Sequence, residues 1–151
     1  FITIIDTTVC LPFFYLMETA RNLCLVLEKK ADLGREIRLA YSQEDKETLQ
    51  EIANIKIPVL LQRLQDFYQS FRTQWNLENK SFGFEVQTVR IGGLLQRLKD
   101  VQEILNAYLR EEIPGIAELN EPQKAFHYFE QNEIRSLNYN LWTDIVSPSK
   151  I

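Results

Sequence analysis

The side chains of this chain that could do chemistry are few and scattered. His127 is the single histidine. No serine or cysteine stands beside it in a nucleophile pattern, and a general base also needs an orienting partner that the sequence does not offer. A hydrogen-bonded or surface histidine is the reading it supports. Cys10 and Cys24, the two cysteines, are with one histidine too few for a zinc site built from cysteine and histidine. Both have apolar neighbours, so buried free thiols are expected in preference to a disulfide. Trp75, Trp142, Phe126 and Tyr128 have faces that stack on sugar rings. Trp75, however, falls on a helical apolar stripe, which favours burial over ligand contact. The cluster near His127 is less periodic, and an exposed aromatic patch there would mark an interface. The expectation is no catalytic residue, no metal and no cofactor.

A joint is the more specific signal. Glu78-Asn79-Lys80-Ser81-Phe82-Gly83-Phe84-Glu85-Val86 interrupts one helical pattern, turns through glycine and opens another, which carries Gly92 and Gly93 just after Arg90 and Ile91. A glycine in a helix interior costs about 1 kcal/mol relative to alanine, so the adjacent pair predicts close approach of another backbone. Glu78, Asn79, Phe84, Glu85, Arg90, Gly92 and Gly93 are the candidate interdomain residues. The plain role of Glu78, Glu85 and Arg90 is capping and ion pairing, worth under about 1 kcal/mol when exposed. The sharper one is to fix this region against a neighbouring domain.

The elements that must carry this joint read as helices. Residues 1–9 are β-branched and interrupted by threonine and aspartate, which suits a strand or extended arm. Pro12 suits the first turn of a helix that runs to about Tyr41. Leu16, Ala20, Leu23, Leu27, Gly34, Ile37 and Tyr41 would share its apolar face, with Gly34 admitting a neighbouring helix. Ser42, with Asp45 three residues on, is the expected cap of a short helix to about Asn54, and Pro58 forces a break or starts a third. In the third, Leu61, Leu64, Tyr68, Phe71 and Trp75 recur every three or four residues, widened by Leu60 and Phe67, until Asn79 and Gly83 end it. The fourth, about Phe84 to Arg110, repeats Ile91, Leu94, Leu98, Val101, Leu105 and Tyr108 as a heptad seam, short enough to serve packing within a bundle. Past Pro114, Gly115 and Pro122 the chain is aromatic and irregular, through Phe129, Leu137 and Tyr139. The fold class is all-α: a bundle of about four main helices with an extended N-terminal arm and an irregular aromatic C-terminal segment.

At 151 residues a single domain buries roughly 68–70% of its extended surface, so a core needs no metal or disulfide. Seventeen basic against 21 acidic residues give a net charge of -4, the wrong sign for gathering phosphates, which excludes nucleic acid as a partner. The longest apolar run, Val9 to Met17, is too short to span a bilayer and contains Pro12, so no membrane partner is expected. A chain that opens on Phe1 leaves open an export signal ahead of it.

The joint segment resembles the helical C-terminal region of one group of bacterial glycoside hydrolase family 20 enzymes, the β-N-acetylhexosaminidases. The likeness extends through Tyr15 to Leu27, through Leu33-Gly34-Arg35-Glu36-Ile37-Arg38-Leu39-Ala40-Tyr41, and through Phe67 to Trp75. It reaches Trp142-Thr143-Asp144-Ile145-Val146-Ser147-Pro148-Ser149 at the end, and so covers nearly the whole chain. It implies that residues 1–10 are a linker or arm from an upstream (β/α)8 catalytic barrel and residues 11–151 a helical C-terminal domain. In such enzymes an adjacent Asp-Glu pair in the barrel does the work: Asp positions the substrate acetamido group, whose oxygen is the nucleophile, and Glu is the general acid. No adjacent Asp-Glu in that order occurs here. Glu44-Asp45 is reversed and lies where acidic residues complement a helix N-terminus. The resemblance thus implies a non-catalytic tail of a bacterial, cytoplasmic enzyme that removes terminal β-linked N-acetylhexosamine. The tail would pack against and stabilise the barrel of the same chain, with a homo-oligomer as a further assembly. Two other roles compete with it. An independent helical interaction or dimerisation module is suggested by the heptad seam. A carbohydrate-binding module is suggested by the aromatic tail, against the β-sandwich habit of most such modules.

Overall fold

A computed structural model describes residues 13–121. The arm and linker before Pro12, Cys10, and the aromatic segment with His127 and Trp142 lie outside the described residues. Among the described residues every regular element is helical: α1 (Phe14–Lys30), α2 (Leu33–Ser42), α3 (Lys46–Glu51), a π-turn (Ile52–Lys56), α4 (Ile57–Glu78), α5 (Phe84–Leu109) and the short α6 (Ala117–Asn120). The protein is an all-α bundle.

The single first helix expected to reach Tyr41 is two helices, parted by a turn at Ala31 and Asp32. Thr19, Asn22, Val26, Leu33, Ile37 and Ala40 are buried, at helical spacings of three, four and seven. In α2 the expected Ile37 is buried and Tyr41 packs against the core. In α1 the buried face is a different one: the stripe chosen for its apolar content lies a quarter turn round, and its Leu23 and Leu27 are exposed. Two polar residues occupy the inner seam because they are paired. Thr19 Oγ1 donates to Tyr15 O at 3.0 Å, and Asn22 Nδ2 donates to Ser70 Oγ at 3.1 Å and Asp66 O at 3.4 Å. Burial of a polar group is tolerated on that condition. Gly34 is exposed, with open space where its Cβ would point, so it admits no neighbouring helix.

Asp45, rather than Ser42, caps α3. Its carboxylate accepts the Thr48 backbone N–H at 3.0 Å and the Thr48 hydroxyl at 2.6 Å, while Ser42 ends α2 and donates its hydroxyl to Leu39 O. Glu44, at φ 55°, turns the chain between the two helices.

Pro58 stands in the first turn of α4, the start expected of it, but no break in the helical turns precedes it. α3, the π-turn and α4 form one continuous rod, because the register slips to i→i+5 just before the proline: Ile57 N–H bonds Ile52 O. In that register the carbonyl of Ala53 faces Pro58, which has no N–H. Gln102 Nε2 on α5 supplies the missing donor at 2.7 Å.

The core gathers at the end of the molecule where α2, α3, the π-turn, the start of α4 and the second half of α5 meet. Leu49, Ile52, Ala53, Ile57 and Leu60 are fully enclosed there, joined by Leu64, Leu98, Leu105 and Ile116. Burying each large aliphatic side chain contributes about 1.5–3 kcal/mol. The α5 seam faces inward as its heptad spacing predicts, with Leu98 and Leu105 buried and Leu94, Val101 and Tyr108 half-buried against the core. At the opposite end α1, the close of α4 and the start of α5 run past the core.

Candidate interdomain surface

That opposite end is built by the joint segment. Asn79 closes α4, its backbone N–H bonding Trp75 O at 2.8 Å. Gly83 opens α5 at φ 99°, a conformation that favours glycine, and a Cβ there would stand 3.3 Å from the Trp75 ring. The Trp75 indole N–H donates to Lys80 O at 2.9 Å, and Glu85 Oε2 accepts the Gly83 N–H at 2.7 Å. The hinge is therefore fixed by its own side chains. Phe84 is its buried anchor, with ring centroids 5.6 Å from Tyr68, 5.6 Å from Phe71 and 5.8 Å from Trp75. Trp75 itself is half-buried rather than enclosed.

Glu78, at the last turn of α4, reaches across to α1. Its Oε1 accepts the Tyr15 hydroxyl at 3.2 Å, and its Oε2 accepts Gln74 Nε2. Loss of hydration and the Glu78 carboxylate together push the Tyr15 phenol above its ordinary range. The bond seats the start of α1, with exposed Phe13 (64%), beside the end of α4, with exposed Leu77 (64%); Phe82 (86%) in the following turn and Val86 and Val89 on the first turns of α5 are exposed as well. A monomer rarely gathers such residues without a use for them.

The structure thus gathers Glu78, Asn79, Phe84 and Glu85 in the hinge and extends them up the first turns of α5 through Arg90, Gly92 and Gly93, all exposed except Phe84. The close approach expected at the glycine pair is absent at Gly92, which has open space within 4 Å. Helical phase explains this: Leu98 and Leu105 set the inward face of α5, and Gly92 and Gly93 point away from it with Val86 and Val89. Sequence reasoning missed Phe13, Leu77, Phe82, Val86 and Val89. The available signal was Phe82, a large aromatic between Ser81 and Gly83 in a turn.

Elsewhere the polar groups serve the fold. A pocket of about 210 Å³ lies between α2, α3 and the π-turn, lined by Glu36, Asp45 and Lys56 among others. It is smaller than the usual ligand cavity of roughly 300–1,000 Å³. Lys56 Nζ pairs with Glu36 at 3.0 Å, and Asp45 is committed to Thr48. No group of three or more metal-ligating side chains is found among the described residues, and none of their helices is long and apolar enough to cross a membrane. Cys24 is exposed, contrary to the burial expected from its neighbours, because it sits on the outer side of α1.

A family model described as the Glycoside Hydrolase 20C C-terminal domain matches residues 8–138. No curated protein matches the chain.

Proposed function

The chain belongs to the glycoside hydrolase 20C C-terminal domain family, and from that premise we propose that it is the non-catalytic tail of a β-N-acetylhexosaminidase, packing against and stabilising the catalytic barrel upstream in the same protein. The family implies a linked catalytic domain. The observation that carries the docking role is the apolar end formed by Phe13, Leu77, Phe82, Val86 and Val89 around the fixed hinge. Phe13 starts the described chain at that same end, so a domain joined through the residues before it is tethered next to the patch. Tethering raises the effective concentration of a docking partner to the millimolar range without any new contact. The polar rim would be Glu78, Asn79, Glu85 and Arg90, with Phe84 beneath them and Gly92 and Gly93 giving the barrel a low surface on which to close. Catalysis, the removal of terminal β-linked N-acetylhexosamine, belongs to the barrel and to no residue of this chain.

One competing role loses its motive: the α5 seam that suggested a dimerisation module is spent on the bundle's own core through Leu98 and Leu105. The aromatic tail that suggested a carbohydrate-binding module lies outside the described residues.

Phe82→Asp with Val89→Asp tests the docking role, since both side chains are exposed in this chain. The double variant should leave the melting temperature of the isolated chain unchanged and lower that of the full-length enzyme. An unchanged full-length melting temperature overturns the docking surface.

A further inference from the structure

Phe82 is the most exposed large apolar side chain among the described residues, at 86%, and it stands in the turn formed with Asn79, Lys80, Ser81 and Gly83. Turns are built from such polar residues and glycine, so an aromatic ring there does nothing for the turn itself. The bundle does not use it either. Phe84, two residues on, takes the inward position among Tyr68, Phe71 and Trp75 and is 8% exposed. The backbone that carries Phe82 is nonetheless held on both sides. Before it, the Asn79 N–H bonds Trp75 O at 2.8 Å, and Lys80 O accepts the Trp75 indole N–H at 2.9 Å. After it, Gly83 stands at φ 99° beside the Trp75 ring and donates its N–H to Glu85 Oε2 at 2.7 Å. The turn is thus ordered before any partner arrives, and capture of the ring adds little ordering cost.

We propose that Phe82 is the anchor of the docking surface: its ring enters an apolar recess on the catalytic domain of the same protein, and the bond from Trp75 to Lys80 O holds it ready to do so. This rests on the docking role proposed above and adds which residue carries it and what the catalytic domain must present. Two observations select that occupant. The family match is to a C-terminal domain, which implies a catalytic domain ahead of it. The start of α1 is fastened to the last turn of α4 by the Tyr15 hydroxyl on Glu78 at 3.2 Å, so the chain enters α1 beside a residue four positions from Phe82. A domain tethered there meets the turn at a millimolar effective concentration, which one well-placed aromatic anchor is enough to exploit. The recess must be apolar and closed to water, because a phenyl ring gains only by leaving water. Leu77, Val86 and Val89, exposed on the helices that flank the turn, supply the apolar rim around it.

Hydroxyl-radical footprinting of the full-length enzyme, read by mass spectrometry, tests this without any substitution. Left uncovered, a ring as exposed as Phe82 should oxidise close to the rate of a free peptide of residues 78–86. Seated in the catalytic domain, it should oxidise slower by about fivefold or more at every enzyme concentration, because docked anchors are sealed from water. Phe82→Ala in the same enzyme should then raise oxidation of Val86 and Val89 by about twofold or more as the rim loses its anchor, while Leu105 in the core stays protected. Oxidation of Phe82 at the peptide rate while Leu77, Val86 and Val89 are protected overturns the anchor and leaves the docking role standing. Oxidation of all four at peptide rates overturns both. Protection of Phe82 that appears only at high concentration, which would make the partner a second copy, or only on adding N-acetylglucosamine, which would make it a sugar contact, also overturns the anchor, as does Phe82→Ala with Val86 and Val89 unchanged.

Discussion

Gln102 Nε2 lies 2.7 Å from the carbonyl oxygen of Ala53, and the two residues sit on different helices. The contact settles a deficit created by sequence: Pro58 has no N–H for the π-register carbonyl, and Ala53 is fully buried. A side chain on α5 thereby holds the continuous α3–α4 rod in one register against it. Gln102→Leu should cost about 1–3 kcal/mol, the penalty for leaving a buried acceptor without a donor, and urea unfolding would measure it. Pro58→Ala, which restores an N–H, should recover part of that loss in the double variant. Strict additivity would refute the coupling.

Asn22 is the polar pin of the α1–α4 seam. Asn22→Ala should destabilise the chain by about 1–3 kcal/mol. In a double-mutant cycle with Ser70→Ala the two changes should be less than additive, because they share one hydrogen bond.

Gly92→Ala should stabilise the isolated chain by up to about 1 kcal/mol, since the position is helical, exposed and open. The gain should vanish or reverse in the full-length enzyme if the outer face of α5 meets the barrel. Thermal melts of both proteins give the comparison.

Phe84→Ala should cost about 3–5 kcal/mol, the usual result of removing a buried ring. Trp75→Ala should cost less, since its indole is half-buried and lies at the edge of the same cluster. Equal losses would mean that the hinge anchors on Trp75.

Asp45 gives a pH dependence of known sign. The hydroxyl and backbone N–H of Thr48 hold its carboxyl below the usual aspartate range. Its stabilising contribution is therefore present above the unfolded-state value and is lost as pH falls through the lower, folded-state value. Asp45→Asn should lower stability at neutral pH and leave it unchanged at a pH below both values, so the acid limb of a stability–pH curve becomes shallower.

The sequence by itself determined the helices and the hinge. Periodic apolar residues over Leu60 to Trp75 and Ile91 to Tyr108 specify faces that water drives inward, and the Asn79-to-Gly83 segment specifies where the chain must turn. Both effects are local, so spacing reveals them. Tertiary structure alone decided which face of α1 is buried, because Thr19 and Asn22 lose their cost of burial only through partners, and for Asn22 those partners are 44 and 48 residues away. It also decided how the carbonyl of Ala53, left without a backbone donor by Pro58, finds one in a glutamine on another helix, and the surroundings of Gly92, which depend on how α5 is rotated over α4. Chain composition names the groups that need a partner; only the packed bundle determines which of them finds one.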